Sequence, residues 1–357
     1  MALLPENFPG EKLLMKLWET ITEKGVGGLL APWQVKRLGR ARTEVRRDEL
    51  LVLAQAEKDI EDIRAGRKYL GVDGKLLEVP KPSNDKPPNI LGFMVAQIPT
   101  QPVQSLEDLI REGTGQFGLR EAKRAINIQR ILLLAEQEAE RVPDSEVSEK
   151  QVENDWFERW RENAQDVSSD ELRQLWARVL SGEVKQPGTF SLHLLELLRR
   201  ISRTDAESIC KIAPYVIDGG WIFRRDYSFF SERGFRFSFF LDLEELGILT
   251  GTQILPNVGG LKWEQRSISD DSFLAILKNH GKALIIESPD PKRRLEIPIV
   301  GVTRVGKEIL SLGDFEPNVE YLEYIGRYFK SMNFGVSLND YERLADGAGR
   351  FTRSREL

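Results

Sequence analysis

Carboxylates are the residues of this sequence most able to do chemistry, and they crowd one stretch. Asp155, Glu158, Asp166, Asp170, Glu171 and Glu183 all fall within residues 155–183. General acid–base work needs two such groups held across a substrate, in surroundings that drive their pKa values apart. Several of these acids stand instead at the starts of helical patterns, where a negative charge complements the helix dipole without reacting. Glu183 differs: it follows Leu-Ser-Gly at a helix end and faces the wrong pole of the dipole. An ion pair with Arg178 or Arg199 is its expected use.

The other reactive types are sparse. His193 lies in a leucine-rich helix and His280 in a Lys-Asn-His-Gly-Lys turn, neither with a nucleophile or ligand pattern beside it. Cys210, the single cysteine, shares a helix with Ile209, Ile212 and Ala213, so it reads as a small buried hydrophobe. One cysteine excludes an internal disulfide framework and fits a reducing compartment. With only two histidines as well, a structural zinc site has too few Cys and His ligands. The glycines of GVGGLL (25–30) lack both the GK[ST] ending of a P-loop and the strand context of a dinucleotide fingerprint. No catalytic constellation, cofactor site or metal site emerges, and an enzyme is not the expected reading.

Charge supplies the binding candidates. Lys36, Arg37, Arg40, Arg46 and Arg47 cluster on a helical stretch, and the only acid between residues 36 and 47 is Glu44. Such a face can neutralise phosphates or anionic lipid headgroups, or it can simply be solvated or pair with an acidic helix. Lys292, Arg293 and Arg294 form a second, smaller basic group at the tip of an expected wing. On the same long helix, Leu53, Ala56, Ile60 and Ile63 repeat in steps of three and four, a coiled-coil-like seam that points to helix pairing and self-assembly.

These candidates are positioned by recognisable elements. Leu13, Leu14, Leu17, Trp18 and Ile21 make one face of an amphipathic helix over 10–24. A long charged helix is predicted from Trp33 to about Lys68. Residues 71–104 hold six prolines and read as a linker. Helices follow from Ser105, over about 119–142, and after Ser148. In the tryptophan-rich block, Ser168 or Ser169, then Ser191, then Thr204 with Asp205 start successive helices, and Gly182 with Pro187-Gly188 stop one. From Gly219 the texture becomes strand-like: WIFRR, RFSFF, LKWEQRSI, KALIIES and LEIPIVGVT lie between breakers. The SPDPKRR turn is expected to join KALIIES and LEIPIVGVT as a hairpin. Helices are expected to end at Gly247, to start at Thr303 and to span 317–332.

The 357-residue chain, 41% apolar and 30% charged, is globular in balance, and two or three domains are natural for its length. Its net charge of −5 argues against a surface built wholly for nucleic acid. No segment reads as a membrane span or secretory signal, so a cytoplasmic location is expected. The predicted class is mainly α with a smaller α+β C-terminal part. In order come a helical segment (1–70), a proline-rich linker or insertion (71–116), a central helical domain (117–218), a winged-helix-like domain (219–340) and a loose tail (341–357).

Several pieces resemble a bacterial family known only as domain of unknown function 2806: PWQVKR and the charged helix after it (32–57), and WFERWRENAQDVSSDELRQLWARVLSGEVKQPGTFS (156–191). LEELGILT (243–250) and VTRVGKEILSL (302–312) belong to the same likeness. A looser similarity links the central motif to the Abi-alpha abortive-infection domain. The family carries no catalytic residues to transfer, and the Abi-alpha likeness implies a role in anti-phage defence. The expected function is therefore a non-enzymatic interaction or assembly protein, a homo-oligomer acting with another defence protein. The alternatives are a nucleic-acid-binding regulator and a membrane-acting effector that inserts residues 10–47.

Overall fold

The computed structural model describes residues 10–23, 42–65, 67–70, 76–78, 106–167, 169–225, 227–253, 261–265, 267–344 and 348–357. The chain divides into two compact units after Gly188. It is mainly α, with antiparallel sheets confined largely to the C-terminal unit.

The first unit is helical. Helix α1 (Glu11–Glu23) buries Leu13, Leu14, Leu17 and Ile21, the face its spacing predicts. It starts at Gly10, where φ is +89° and a Cβ would lie 2.3 Å from the Ala139 carbonyl oxygen, so only glycine fits. Helix α2 (Arg42–Arg64) leads into a small hairpin of β1 (Lys68–Leu70) and β2 (Leu76–Glu78). Helix α3 (Leu106–Ala139) is 34 residues long. It begins inside the stretch that reads as linker and passes through Gly113, Gly115 and Gly118. Each glycine costs a helix about 1 kcal/mol, and the buried turns that follow, with Ile131, Leu132, Ala135 and Ala139, offset that loss.

Helices α4 (Asn154–Ala164) and α5 (Asp170–Lys185) carry the tryptophan block. Phe157, Trp160 and Trp176 are fully buried, and the Trp160 indole N–H donates to the Trp176 carbonyl at 3.1 Å. Ser169 caps α5 by accepting the Leu172 N–H. Ser148 does not cap a helix. Helix α4 starts at Asn154 with Glu153 at its cap position, and the Ser148 hydroxyl instead accepts the Lys150 N–H.

The second unit opens with α6 (Leu192–Arg200), capped by Ser191, and α7 (Arg203–Ile212). The cap of α7 is Ser202 rather than Thr204; Ser202 and Asp205 form a reciprocal capping box. Next come β3 (Trp221–Phe223), the single-turn helix α8 (Ser228–Ser231), α9 (Phe237–Glu245) and β4 (Leu249–Thr250). The RFSFF run is helical, not a strand, because Phe240 and Leu243 share a helical face that packs into an aromatic core. Phe240 meets Phe230 and Phe235 at ring centroid distances of 5.1 and 6.2 Å. Tyr321 sits in the same core, fully buried, its hydroxyl donating to the Phe223 carbonyl at 3.0 Å.

Strands β5 (Lys262–Gln265), β6 (Phe273–Asn279), β7 (Lys282–Ser288) and β8 (Leu295–Val302) follow. Helices α10 (Arg304–Leu310) and α11 (Val319–Lys330) and strands β9 (Gly335–Arg343) and β10 (Gly349–Glu356) complete the unit. Thr303 caps α10, accepting the Gly306 N–H at 2.9 Å. One antiparallel sheet has the order β3-β8-β4, with β5 pairing the remainder of β8; the other runs β10-β9-β7-β6.

The expected KALIIES–LEIPIVGVT hairpin is therefore wrong: β7 and β8 lie in different sheets. Both edges of β7 are already taken, one by β6 through the tight His280–Gly281 turn and the other by β9. The positive φ values of His280 (40°) and Gly281 (86°) suit a two-residue hairpin turn. The tail is not loose either. Residues 349–356 pair with β9.

Candidate functional site

The acids of the tryptophan block are spent on structure. Asp155, Asp170 and Glu171 lie in first turns, Asp166 pairs with Arg124 at 2.8 Å, and Glu158 pairs with Arg161. Glu183 is buried. Its Oε1 accepts the Gly188 N–H at 2.6 Å, fixing the turn that ends α5. Its charge also favours ionised Lys16, whose pKa burial pushes below the usual lysine value. Arg178 reaches Glu138 at 3.5 Å.

His193 is exposed on the outer face of α6. The Nε2 of His280 lies 3.0 Å from the Ala213 carbonyl oxygen. Cys210 is exposed, correcting the buried reading, because the core face of α7 is set by Ile209 and Ile212 and Cys210 turns away from it. Among the described residues, no cluster of His, Cys, Asp or Glu is placed to hold a metal ion.

The seam of α2 is filled within the chain. Leu53 and Ile60 are buried against Ile126 and Leu133 of α3, with Ala56 and Leu119 packed alongside and Ile63 half-buried. Beside this seam lies a polar clasp that the sequence reading missed. Glu57 of α2 takes Arg173 on Oε1 at 2.9 Å and Arg130 on Oε2 at 2.8 Å. Arg173, its side chain only 5% exposed, also donates to Asp170 at 2.7 Å and to Asn127 at 2.9 Å. Asn127 in turn donates to the Gln165 carbonyl at 2.8 Å. The signal was in the sequence: Arg173 interrupts an apolar stripe that continues at Trp176, Ala177, Leu180 and Val184. A cation on a core face needs a buried anion, which sequence alone does not name.

Of the basic candidates, Lys36, Arg37 and Arg40 lie outside the described residues. Arg46 and Arg47 fall in α2, where the side chains of residues 42–50 are not described. Lys292 is exposed, in a turn where its N–H donates to Asp290. Arg293 donates to the carbonyls of Met332 and Asn333 and covers the Phe334 ring at 3.8 Å. Arg294 pairs with Glu264 at 3.0 Å. This basic trio is thus largely engaged by the protein's own groups.

The residues that do share a free surface are on α9. Helix α8, a turn through Gly234 (φ +76°), and α9 follow one another like the two helices of a helix-turn-helix. On α9, Phe237 is 42% exposed, with Ser238, Asp242 and Glu245 exposed beside it and no Lys or Arg between 237 and 247. Glu244 points back, accepting from the Gly251 N–H at 2.9 Å and from the Thr252 hydroxyl.

Residues 114–220, from α3 to the start of β3, match the family described as Protein of unknown function (DUF2806). That stretch is similar to the DUF2806 family. The match takes in the WFERWRENAQ…PGTFS motif and the helices that carry it. It leaves out 32–57, 243–250 and 302–312, so it spans less of the chain than the resemblance read from the sequence. No curated protein and no solved structure shows significant similarity to the chain. Within the DUF2806 stretch, every acid and aromatic singled out above caps a helix, forms a pair or packs in the core. The free α9 surface lies beyond it.

Proposed function

We propose that this chain is a non-enzymatic interaction and assembly protein that meets a protein partner through a winged-helix-like module in its second unit. The observation that carries this reading is the exposed face of α9. The order α7, β3, α8, α9, β4, β8, with sheet order β3-β8-β4, is compatible with a winged-helix plan, and in that reading α9 is the counterpart of the recognition helix. A helix that reads DNA needs cations and donors on that face. Here the exposed groups are Phe237, Ser238, Asp242 and Glu245, a surface suited to a basic or amphipathic protein segment. Anti-phage defence, drawn from the Abi-alpha likeness, is the setting proposed for it. A cytoplasmic location goes with the unpaired, exposed Cys210.

A plaque assay tests this. Cells carrying the intact chain should resist a phage panel, and Asp242→Lys with Glu245→Lys should abolish resistance while circular dichroism stays unchanged. Resistance that survives the double reversal would refute the role given to α9.

Nucleic-acid binding is the alternative, motivated by the basic stretch at 36–47. It requires duplex affinity that falls steeply with salt and weakens when Arg40 and Arg47 become glutamate. A membrane-acting role has no support among the described residues. None of their helices is long and apolar enough to cross a bilayer, and the apolar face of α1 is already buried.

A further inference from the structure

The two edges of the β10-β9-β7-β6 sheet are finished differently. The outer edge of β6 is sealed by other parts of the chain. Leu274 receives the Ile268 N–H on its carbonyl (2.9 Å) and gives its own N–H to the Ser267 hydroxyl (3.0 Å). Lys278 is closed the same way by Asp218, whose N–H donates to the Lys278 carbonyl (2.8 Å) and whose Oδ1 accepts the Lys278 N–H (3.0 Å).

The outer edge of β10 carries no such seal. Its eight residues are almost all exposed, and among the described residues no hydrogen bond engages its backbone on the side away from β9. Long open edges are templates for another strand, and proteins commonly guard them with free cations. The arginines here are not free guards. Arg350 is turned to Glu342, Arg353 to Asp340 and Arg355 to Glu323.

We infer that β10 pairs antiparallel with β10 of a second copy, joining two four-stranded sheets across a two-fold axis at Arg353. The inference rests on the assembly reading above and names its surface. The sequence of the strand, Gly-Arg-Phe-Thr-Arg-Ser-Arg-Glu, is complementary to itself in that register. Arg350, beside Glu342 of its own chain, also meets Glu356 of the second copy, which has Lys330 of its own chain at 3.9 Å; Phe351 meets Arg355, and Thr352 meets Ser354. These are a charge pair, a cation over a ring and a hydroxyl pair, each present twice. Moving the axis half a residue toward Gly349 sets Arg350 against Arg355, and moving it toward Glu356 loses the Arg350–Glu356 pair and sets Phe351 against Glu356. The one like-charge meeting in the proposed register is Arg353 with its copy. Arg353 lies in the β-bulge, with φ +52° and Asp340 at 3.7 Å, where the strand bends and the charge is partly neutralised.

Sedimentation of the full chain over a range of concentrations tests the pairing. The expected species is a dimer of the 40.8 kDa chain. Arg350→Glu or Glu356→Arg alone should weaken it about tenfold, since each creates two like-charge pairs, and the double exchange should restore it. In a Cys210→Ser background, Arg353→Cys should form an intermolecular disulfide on mild oxidation and Arg350→Cys should not. A monomer at every concentration overturns the pairing and removes self-assembly from the functional reading. A dimer indifferent to both reversals and to Arg353→Cys overturns the pairing alone and leaves assembly standing through another surface.

Discussion

Glu57 is the residue whose loss should reveal how α2 is held to the DUF2806 core. Glu57→Ala removes the shared acceptor of Arg130 and Arg173, whose side chains are 16% and 5% exposed. Two charge-assisted hydrogen bonds at a net ~1.5–3 kcal/mol each sum to roughly 3–6 kcal/mol. Glu57 is itself 28% exposed, so water can reach the vacated space and relieve part of the loss. The expected cost is about 3 kcal/mol, near the lower end of what breaking a buried pair takes. In a unit of this size that lowers Tm by roughly 6–12 °C. Glu57→Gln, which keeps one carbonyl acceptor and the volume, should lose about half as much. The measurement is urea unfolding followed by far-ultraviolet circular dichroism, within a double-mutant cycle against Arg173→Met. Disrupting the solvent-exposed Arg203–Glu207 pair of α7, 93% and 66% exposed, is the control and should change nothing measurable. A Glu57→Ala loss below about 0.5 kcal/mol, or a cycle with no coupling, would refute the clasp and leave α2 held by its apolar seam alone.

Three further outcomes follow from packing and charge. Trp160→Ala empties a fully buried site and removes the indole hydrogen bond to the Trp176 carbonyl, so urea unfolding should show a loss of about 4 kcal/mol. Gly306→Ala places a methyl 2.3 Å from the Ile248 carbonyl oxygen and 2.8 Å from Val302, and calorimetry should report about 1–3 kcal/mol of destabilisation. Acid should destabilise the fold through carboxylates held below their ordinary values by hydrogen bonds: Asp59 and Asp62 by Lys68, Glu320 by Arg233 and Asp340 by Lys282. For a lowered pKa the folded state binds fewer protons, so this stability is present above the ordinary carboxylate range. It disappears as pH falls through the folded values. Tm should therefore hold near neutrality and fall below about pH 4; a Tm that rises on acidification contradicts these pairs.

Features fixed by a few neighbouring residues were readable in the sequence. Ser169, Ser191 and Thr303 each accept the backbone N–H three residues on, an interaction complete within one turn. The stripe of α1 and the stop at Gly247 are equally local. Some misreadings are a choice between local competitors, and others involve a distant partner. Thr204 has Glu207 at the same offset that Ser202 has Asp205, but it is Ser202 and Asp205 that close the capping box, while Glu207 pairs with Arg203. The seam at Leu53 and Ile60 announces a partner helix, and only the fold reveals that the chain supplies it in α3. Strand β7 has alternation that any β neighbour could satisfy, and β9, absent from the sequence reading, took the edge expected for β8. The polar tail at 349–356 offers no apolar alternation, since its strand is exposed on both faces and is held by pairing with β9 and by ion pairs to α11.

The second sheet also bears on how a winged-helix-like module could come to serve a protein partner. In that plan the strands on either side of the wing pair with each other, leaving a tip free to lie along a nucleic-acid backbone. Here β5 and the first half of β8 do pair, but β6 and β7 lie between them in sequence and leave to join β9 and β10. The basic turn that would form the tip is thereby drawn toward the other sheet. Arg293 stacks on Phe334 and donates to two carbonyls beyond the end of α11, while Arg294 is held at Glu264. For Arg293 to reach a phosphate, two charge-assisted hydrogen bonds and a ring contact must break before any counterion is released. On the winged-helix-like reading proposed above, acids on α9 and the engagement of Arg293 and Arg294, with Lys292 alone left exposed, disfavour a nucleic-acid ligand. The exposed ring of Phe237 and the carboxylates of Asp242 and Glu245 fit the basic protein segment proposed as the partner of α9.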